Sequence, residues 1–374
     1  MKRFCLTFLG LLFFGAAFAG NGELRRNAEN GNAEAQYQLG MFYLYDSKDQ
    51  HDPVEAVKWL EKAAERNHPK ALFTLGCSCL LGMNVAADPL KGVEYLKRSA
   101  DMGNIPACAI YGWAMLHGIG DKVVPDLKTA EKYLRTAAHG GDVFAQTSYG
   151  WMYFDGRGVK RDYSEAAKWY IKAASQGYSK AQSALAGMYM SGDGVPQNFV
   201  LACRWGKLAA EQGESGAQYT LGDCYARGLG VGQDFVQAVH WFRLAAEQGH
   251  AMAQYELARA YSLGLGVKQD FSEAAKWYEK AALQGDTRAQ KTLAGCYYHG
   301  RGVERDFQKS ALWLKKAADA GDSVAQYGLG TFYEQGECVE YDPAEALKDF
   351  RKAADSGNKE AQRSVKRITS SPGK

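Results

Sequence analysis

The sequence predicts an all-α solenoid of about nine 36-residue helix-turn-helix repeats, and three observations predict it. Ala-Gln, or Ala with a close substitute, returns at Ala35, Ala71, Ala107, Ala145, Ala181, Ala217, Ala253, Ala289, Ala325 and Ala361, with a spacing of 36 residues broken by one step of 38. An Asp recurs midway, at Asp52, Asp88, Asp126, Asp162, Asp234, Asp270, Asp306 and Asp342, with Asn198 filling the same slot. A Gly recurs at Gly31, Gly103, Gly141, Gly177, Gly213, Gly249, Gly285, Gly321 and Gly357, replaced once by Asn67. A unit this short encloses no core of its own, so each must bury its apolar face against its neighbours.

In chain order, residues 1–19 read as a secretory signal: Lys2 and Arg3 precede an apolar stretch from Leu6 to Phe18, and Ala17-Phe18-Ala19 is the small-residue cleavage site. The mature chain is expected to begin near Gly20 and to carry no integral membrane span, which makes an exported protein, periplasmic or secreted, the expectation. Residues 20–32 form an N-terminal half-repeat cap, 33–358 the solenoid, 359–368 a C-terminal capping helix and 369–374 a loose tail.

The sixth unit shows how one repeat is read. In its first helix, Ala217, Leu221 and Tyr225 share one face of a 3.6-residue period, and Gly222 admits a close neighbour. Gly228-Leu-Gly230-Val231 is a turn between helices. The second helix opens at Asp234 as N-cap and ends before Gly249, a left-handed C-terminal residue. Pro53, Pro89 and Pro343 stand at first helical positions, and Asp162 with Glu165 and Asp270 with Glu273 are expected to form capping boxes. The mid-helix aromatics Trp59, Tyr95, Tyr133, Trp169, Trp205, Trp241, Trp277, Trp313 and Phe350 are expected to wedge between layers. The turn departs from its pattern in unit 1 (Asp46 to His51), unit 2 (Gly82-Met-Asn-Val85), unit 3 (two extra residues around Asp121-Lys122) and unit 9 (Cys338).

The pattern A-x-A-Q-x-x-L-G-x-x-Y-x-x-G-x-G-V-x-x-D-x-x-x-A-x-x-W-x-x-x-A-A-x-x-G resembles the Sel-one-like repeat, a relative of the tetratricopeptide repeat, over residues 23–368. The resemblance implies a right-handed α/α superhelix that holds other proteins, with members acting as adaptors, regulators or secreted host-interaction factors.

Charge argues against nucleic-acid partners. The net charge of +3 falls to about +1 once Lys2 and Arg3 are removed, and basic residues alternate with acidic ones along the helices. Beyond Cys5 in the leader, seven cysteines (Cys77, Cys79, Cys108, Cys203, Cys224, Cys296, Cys338) fall at unrelated repeat positions. Most read as small buried hydrophobes, with one bridge such as Cys203 to Cys224 left open. The histidines (His51, His68, His117, His139, His240, His250, His299) are scattered without a metal-ligand spacing, and no metal or cofactor is expected.

Some members of the resembled family carry a penicillin-binding or β-lactamase label. Such serine enzymes need S-x-x-K with S-D-N and K-T-G elements. Here Ser356 to Lys359 and Ser371 to Lys374 match only the first string, so a cell-wall enzyme is disfavoured. The Gly-x-Gly-Val turns follow no strand and are not phosphate loops.

The sharpest expectation concerns the inner face. The third, seventh and tenth positions of each first helix project opposite its Ala/Leu/Tyr face. Units 1 to 4 place there Tyr37, Met41, Leu44, Phe73, Cys77, Leu80, Trp113, Leu116, Trp151 and Phe154. Units 6 to 9 place Tyr219, Asp223, Tyr255, Arg259, Ser262, Lys291, Tyr298, Tyr327, Thr331 and Glu334. An exposed apolar ladder would grip a protein or peptide partner in the concave groove through Tyr37, Met41, Leu44, Phe73, Leu80, Trp113, Leu116, Trp151 and Phe154. The alternative is that curvature buries these side chains. Function then reads as a non-catalytic interaction scaffold or adaptor, with a secreted host-interaction factor or a structural spacer as alternatives.

Overall fold

The computed structural model describes residues 21–45 and 51–370. Residues 1–20, 46–50 and 371–374 lie outside them. The chain divides into two compact units, residues 1–188 with 192–196 and residues 189–191 with 197–374. The first carries α1 (Asn21–Glu29), α2 (Ala33–Tyr45), α3 (Pro53–Glu65), α4 (Pro69–Leu81) and α5 (Pro89–Asp101). It continues with α6 (Ile105–His117), α7 (Leu127–His139), α8 (Val143–Asp155), α9 (Tyr163–Ser175) and most of α10 (Ser179–Ser191). The second carries α11 (Phe199–Glu211), α12 (Ser215–Arg227), α13 (Phe235–Glu247), α14 (Ala251–Leu263) and α15 (Phe271–Leu283). It ends with α16 (Thr287–His299), α17 (Phe307–Asp319), α18 (Ser323–Gln335), α19 (Pro343–Asp355) and α20 (Lys359–Ser370). Among the described residues there is no strand, and the last helix runs two residues into the segment read as tail.

The even-numbered helices from α2 to α18 open the repeats and the odd-numbered ones from α3 to α19 close them. Within each compact unit the opening helix packs most extensively on the closing helix that follows it. All nine closing helices begin at the expected Asp or Asn, whose side chain accepts from a backbone N–H two or three residues on. The capping boxes at Asp162 and Asp270 are corrected in half. Glu165 and Glu273 donate their N–H to the cap, but the Asp162 and Asp270 N–H groups are already given to the Tyr153 and Tyr261 carbonyl oxygens at 2.9 and 3.0 Å. The Glu carboxylates turn instead to Lys168 and Lys276. This backbone bond from the cap to the opening helix recurs in every repeat and ties the two helices across the turn that joins them.

The Gln of Ala-Gln is a buried clamp. Gln146, Gln218, Gln254, Gln290 and Gln326 donate Nε2 to a carbonyl oxygen of the preceding closing helix, at 3.1–3.2 Å. That carbonyl belongs to the helix's last turn, where it also accepts the N–H of the left-handed Gly that ends the helix. Where the second repeat has Leu72 in this slot, Arg98 reaches back to the same carbonyl, Ala64 O, at 3.0 Å. In the third repeat the Cys108 thiol takes the role, donating to Ala100 O.

The turns explain their glycines. Gly230, Gly266 and Gly302 have φ of +69 to +77°, and a Cβ there would lie 2.0–2.3 Å from the first residue of the preceding repeat's closing helix. Left-handed backbone and a close approach therefore coincide. Asn84 and Cys338 hold the left-handed conformation without glycine, and the two extra residues of the third repeat are absorbed by a small Ile119–Val123 bridge.

Candidate functional site

Six of the nine residues expected to line a groove are core. Tyr37, Met41, Leu44, Phe73, Leu80 and Leu116 are buried, as is Cys77. Phe73, Cys77 and Leu80 pack with Ala109 and Leu116 of the next opening helix, and Tyr37 stacks on His68 at 4.8 Å. The reason is local: Ala109, where five of the other eight repeats carry Tyr or Phe, lets the third opening helix close on the second, and Phe73, Cys77 and Leu80 fill the gap. Helix α4 is buried at every position from Ala71 to Leu80.

Trp113, Trp151 and Phe154 differ: they remain half-buried. Helix α6 packs directly against α8, and this contact brings the two Trp side chains to either side of His117. Trp113 and His117 lie four residues apart on one helical face and stack at 4.6 Å, 26° between planes. Trp151 stacks on the opposite side of His117 at 5.5 Å and 21°, and the Arg157 guanidinium lies over Trp151 at 5.7 Å. Phe154 stands apart, edge-on to Tyr163 at 5.1 Å.

The stack walls an open cavity of about 350 Å³ whose remaining lining is Phe144, Thr147, Ser148, Tyr170, Tyr178, Lys180 and Ala184. All of these belong to the first compact unit. His117 Nδ1 is 3.1 Å from the Trp113 carbonyl oxygen. A carbonyl only accepts, so Nδ1 carries the proton and Nε2 is an acceptor. Burial pushes the imidazole below its ordinary value of 6.5, and Arg157 adds to the shift, which keeps the ring neutral at pH 7. At the start of α8, Asp142 caps the helix by accepting from Ala145 N at 2.7 Å, and burial pushes its carboxyl up to about 6. The exposed Lys180 supplies positive charge at the rim.

Such a slot is suited to holding an apolar or aromatic group by dispersion and stacking, with Nε2 and the ammonium to orient a polar end. Among the described residues no cluster of His, Cys, Asp or Glu could hold a metal ion. The Ser356–Lys359 string spans the turn between α19 and α20, and Ser371 to Lys374 lies outside the described residues. No described helix is long and apolar enough to cross a membrane.

Sequence reasoning named Trp113 and Trp151 but not His117, Arg157, Phe144, Tyr170, Tyr178 or Lys180. The four-residue spacing of Trp113 and His117 was a readable signal. The others arrive from neighbouring repeats, through packing that a single helix face does not display.

Comparison with known proteins gives the same fold. A family model described as the Sel1 repeat matches nine consecutive segments: 33–68, 69–104, 105–142, 143–178, 179–214, 215–250, 251–286, 287–322 and 323–358. The chain is similar to a crystal structure of a Sel1 repeat protein from Oxalobacter formigenes, with 34% identity, 89% of this chain and 93% of that chain covered, and a TM-score of 0.62. It is also similar to a protective antigen present in uropathogenic Escherichia coli strains, displaying an SLR fold, with 30% identity, 93% and 90% coverage and a TM-score of 0.56. No curated protein sequence matches the chain.

Proposed function

This chain belongs to the Sel1 repeat family, and from that premise we propose that it is an exported, non-catalytic scaffold that binds a segment of a partner protein at the Trp113–His117–Trp151 slot. Proteins built of these repeats are generally protein-interaction scaffolds, and a helical-repeat solenoid of this kind is typically non-catalytic. The single observation that carries the finer reading is the slot itself. Two half-buried Trp side chains and a cavity of about 350 Å³ open beyond the second repeat, whose opening helix is sealed. Half-exposed Trp beside Arg is the composition of binding hot spots.

The occupant is a partner side chain with an apolar or aromatic body, on a helix or extended segment, whose polar end meets His117 Nε2 or Lys180. Export rests on the leader at residues 1–19, and the likeness to a protective antigen supports it. A spacer with no client is the second reading, favoured by the sealed face of the second repeat.

Affinity capture from periplasmic and culture-supernatant fractions tests both. The parent chain is run beside a Trp113→Ala/Trp151→Ala variant with matched helix content. Loss of a client by the variant, with affinity reduced about tenfold or more, is the expected result. Equal capture by both would move the binding surface elsewhere, and the absence of any client would leave the spacer.

A further inference from the structure

Two cysteines have a chemistry that the slot does not use. Helix α11 runs out and α12 returns after the turn at residues 212–214, so the pair forms a helical hairpin. Cys203 lies in the first half of α11 and Cys224 in the last turn of α12, which sets them opposite each other at the open end of that hairpin. Their side chains meet there: the Cys224 thiol is within hydrogen-bonding reach of Cys203 Sγ. Cys203 Sγ also lies 3.0 Å from the Leu229 carbonyl oxygen. Both residues are buried in one small cluster with Ala209, Ala210, Ala217 and Leu221. The repeat does not impose sulfur at either place. The Cys203 slot holds no cysteine in any other repeat, with Val57, Val93, Ala167 and Val239 among its occupants; the Cys224 slot recurs as Cys296, whose counterpart in the Cys203 slot is Ala275, so only the Cys203–Cys224 junction has both sulfurs.

We propose that Cys203 and Cys224 are a disulfide-forming pair that staples the fifth repeat to the sixth. Cys203 is the less buried of the two, 5% exposed against 0% for Cys224, so its sulfur is the one that an external disulfide meets first. Its sulfur attacks one sulfur of an external disulfide, breaking that S–S bond and releasing one thiolate while a mixed disulfide forms. Cys224 then attacks Cys203 Sγ, displacing the second thiolate. The two protein thiols lose two electrons and two protons, and the external disulfide gains both as two thiols. The chemistry needs only a disulfide donor, such as oxidised glutathione or the disulfide of a thiol oxidoreductase. Neighbour contacts are what hold a solenoid together, so a covalent bond at this junction closes the place where the fifth and sixth repeats would part.

The test is thiol mapping of the full chain after refolding in a buffer of oxidised and reduced glutathione. Free thiols are blocked with N-ethylmaleimide in denaturant and the peptides read by mass spectrometry. The expected result is a Cys203–Cys224 linked peptide, lighter by about two mass units than the reduced pair. Cys5, Cys77, Cys79, Cys108, Cys296 and Cys338 should carry the blocking group. Chemical unfolding should then show a higher midpoint for the oxidised chain than for the reduced one, and this difference should vanish in Cys203→Ser and in Cys224→Ser. Recovery of Cys203 and Cys224 as blocked thiols, as glutathione adducts or linked to other cysteines would overturn the proposal.

Discussion

At the third position of the opening helix, Phe73 in the second repeat is 2% exposed, whereas Tyr255 in the seventh lies half-buried with the Arg288 guanidinium 4.4 Å above its ring. Four residues on, Cys77 is fully buried and Arg259 is exposed, paired with Glu256 at 2.8 Å. Three further on, Leu80 is buried and Ser262 half-exposed. One helix is wrapped on all sides and the other keeps a wet face. The contrast teaches that a place in the repeat fixes which way a side chain points but not whether water reaches it. Ala109 in the repeat after Phe73 leaves room for helices to close. Asp223 and Arg259 in the later repeats carry charges whose desolvation would cost more than closure returns.

Truncation should break this symmetry of position most visibly. Leu116→Ala removes a fully buried side chain and should lower stability by about 2–5 kcal/mol in chemical unfolding. Ser262→Ala, at the equivalent place in the seventh repeat, should change it by less than about 0.5 kcal/mol.

The turns extend the comparison with a smaller effect. Gly266→Ala puts a Cβ 2.2 Å from the Phe235 carbonyl oxygen on left-handed backbone and should cost about 1–3 kcal/mol beyond the conformational strain. Gly120→Ala, in the irregular turn of the third repeat, meets open space at φ +52° and should cost only the strain, about 1 kcal/mol. Thermal midpoints of the two variants should rank accordingly.

Next are the clamps. Gln254→Leu removes the side-chain donor from the Ala246 carbonyl, which keeps the Gly249 N–H, and should cost about 0.5–1.5 kcal/mol. Arg98→Met should cost a comparable amount in the second repeat, because Arg98 stands in for the missing Gln there. A surface-like response to Arg98→Met would mean that the Asn67 N–H, 2.9 Å from Ala64 O, suffices for that carbonyl.

The smallest effect is a slope. Burial raises the Asp142 carboxyl to about 6 from 3.8, so the folded state holds its proton more tightly than the unfolded state. Its contribution is fully present below the unfolded value and is lost as pH rises through about 6. Asp142→Asn retains a capping side chain and should gain stability relative to the parent as pH rises from 4 to 7. His117 runs the other way: its lowered pKa gives stability present above 6.5 and lost as pH falls. His117→Gln should therefore lose less than the parent on acidification.

Much of this fold was legible because its punctuation is local. An Asp N-cap, a left-handed Gly and an apolar period act within a few residues, and Asp234, Gly249 and Leu221 do what their spacing says. What escaped depends on contacts between elements. The Asp162 N–H pairs with Tyr153 O rather than with Glu165, and the Gln side chains reach carbonyls eight residues back across a turn. His68 and His250 serve as N-caps through Nδ1, a role their scattered positions did not suggest. The site was legible in part. Trp113 and Trp151 were found from their helix face, but that face is sealed around Met41, Phe73 and Leu116 by the neighbouring helix, which periodicity within one helix does not report.

Hydroxyl-radical footprinting of the folded chain, read residue by residue by mass spectrometry, tests the claim that the opening-helix face is sealed in the first two repeats but reached by water at the Trp113–Trp151 slot and in the seventh repeat. Oxidation of Trp113, Trp151 and Tyr255, with Met41 and Phe73 protected until the chain unfolds, is the predicted result. Oxidation of Met41 and Phe73 in the folded chain as fast as Tyr255, or protection of both Trp residues, would contradict it.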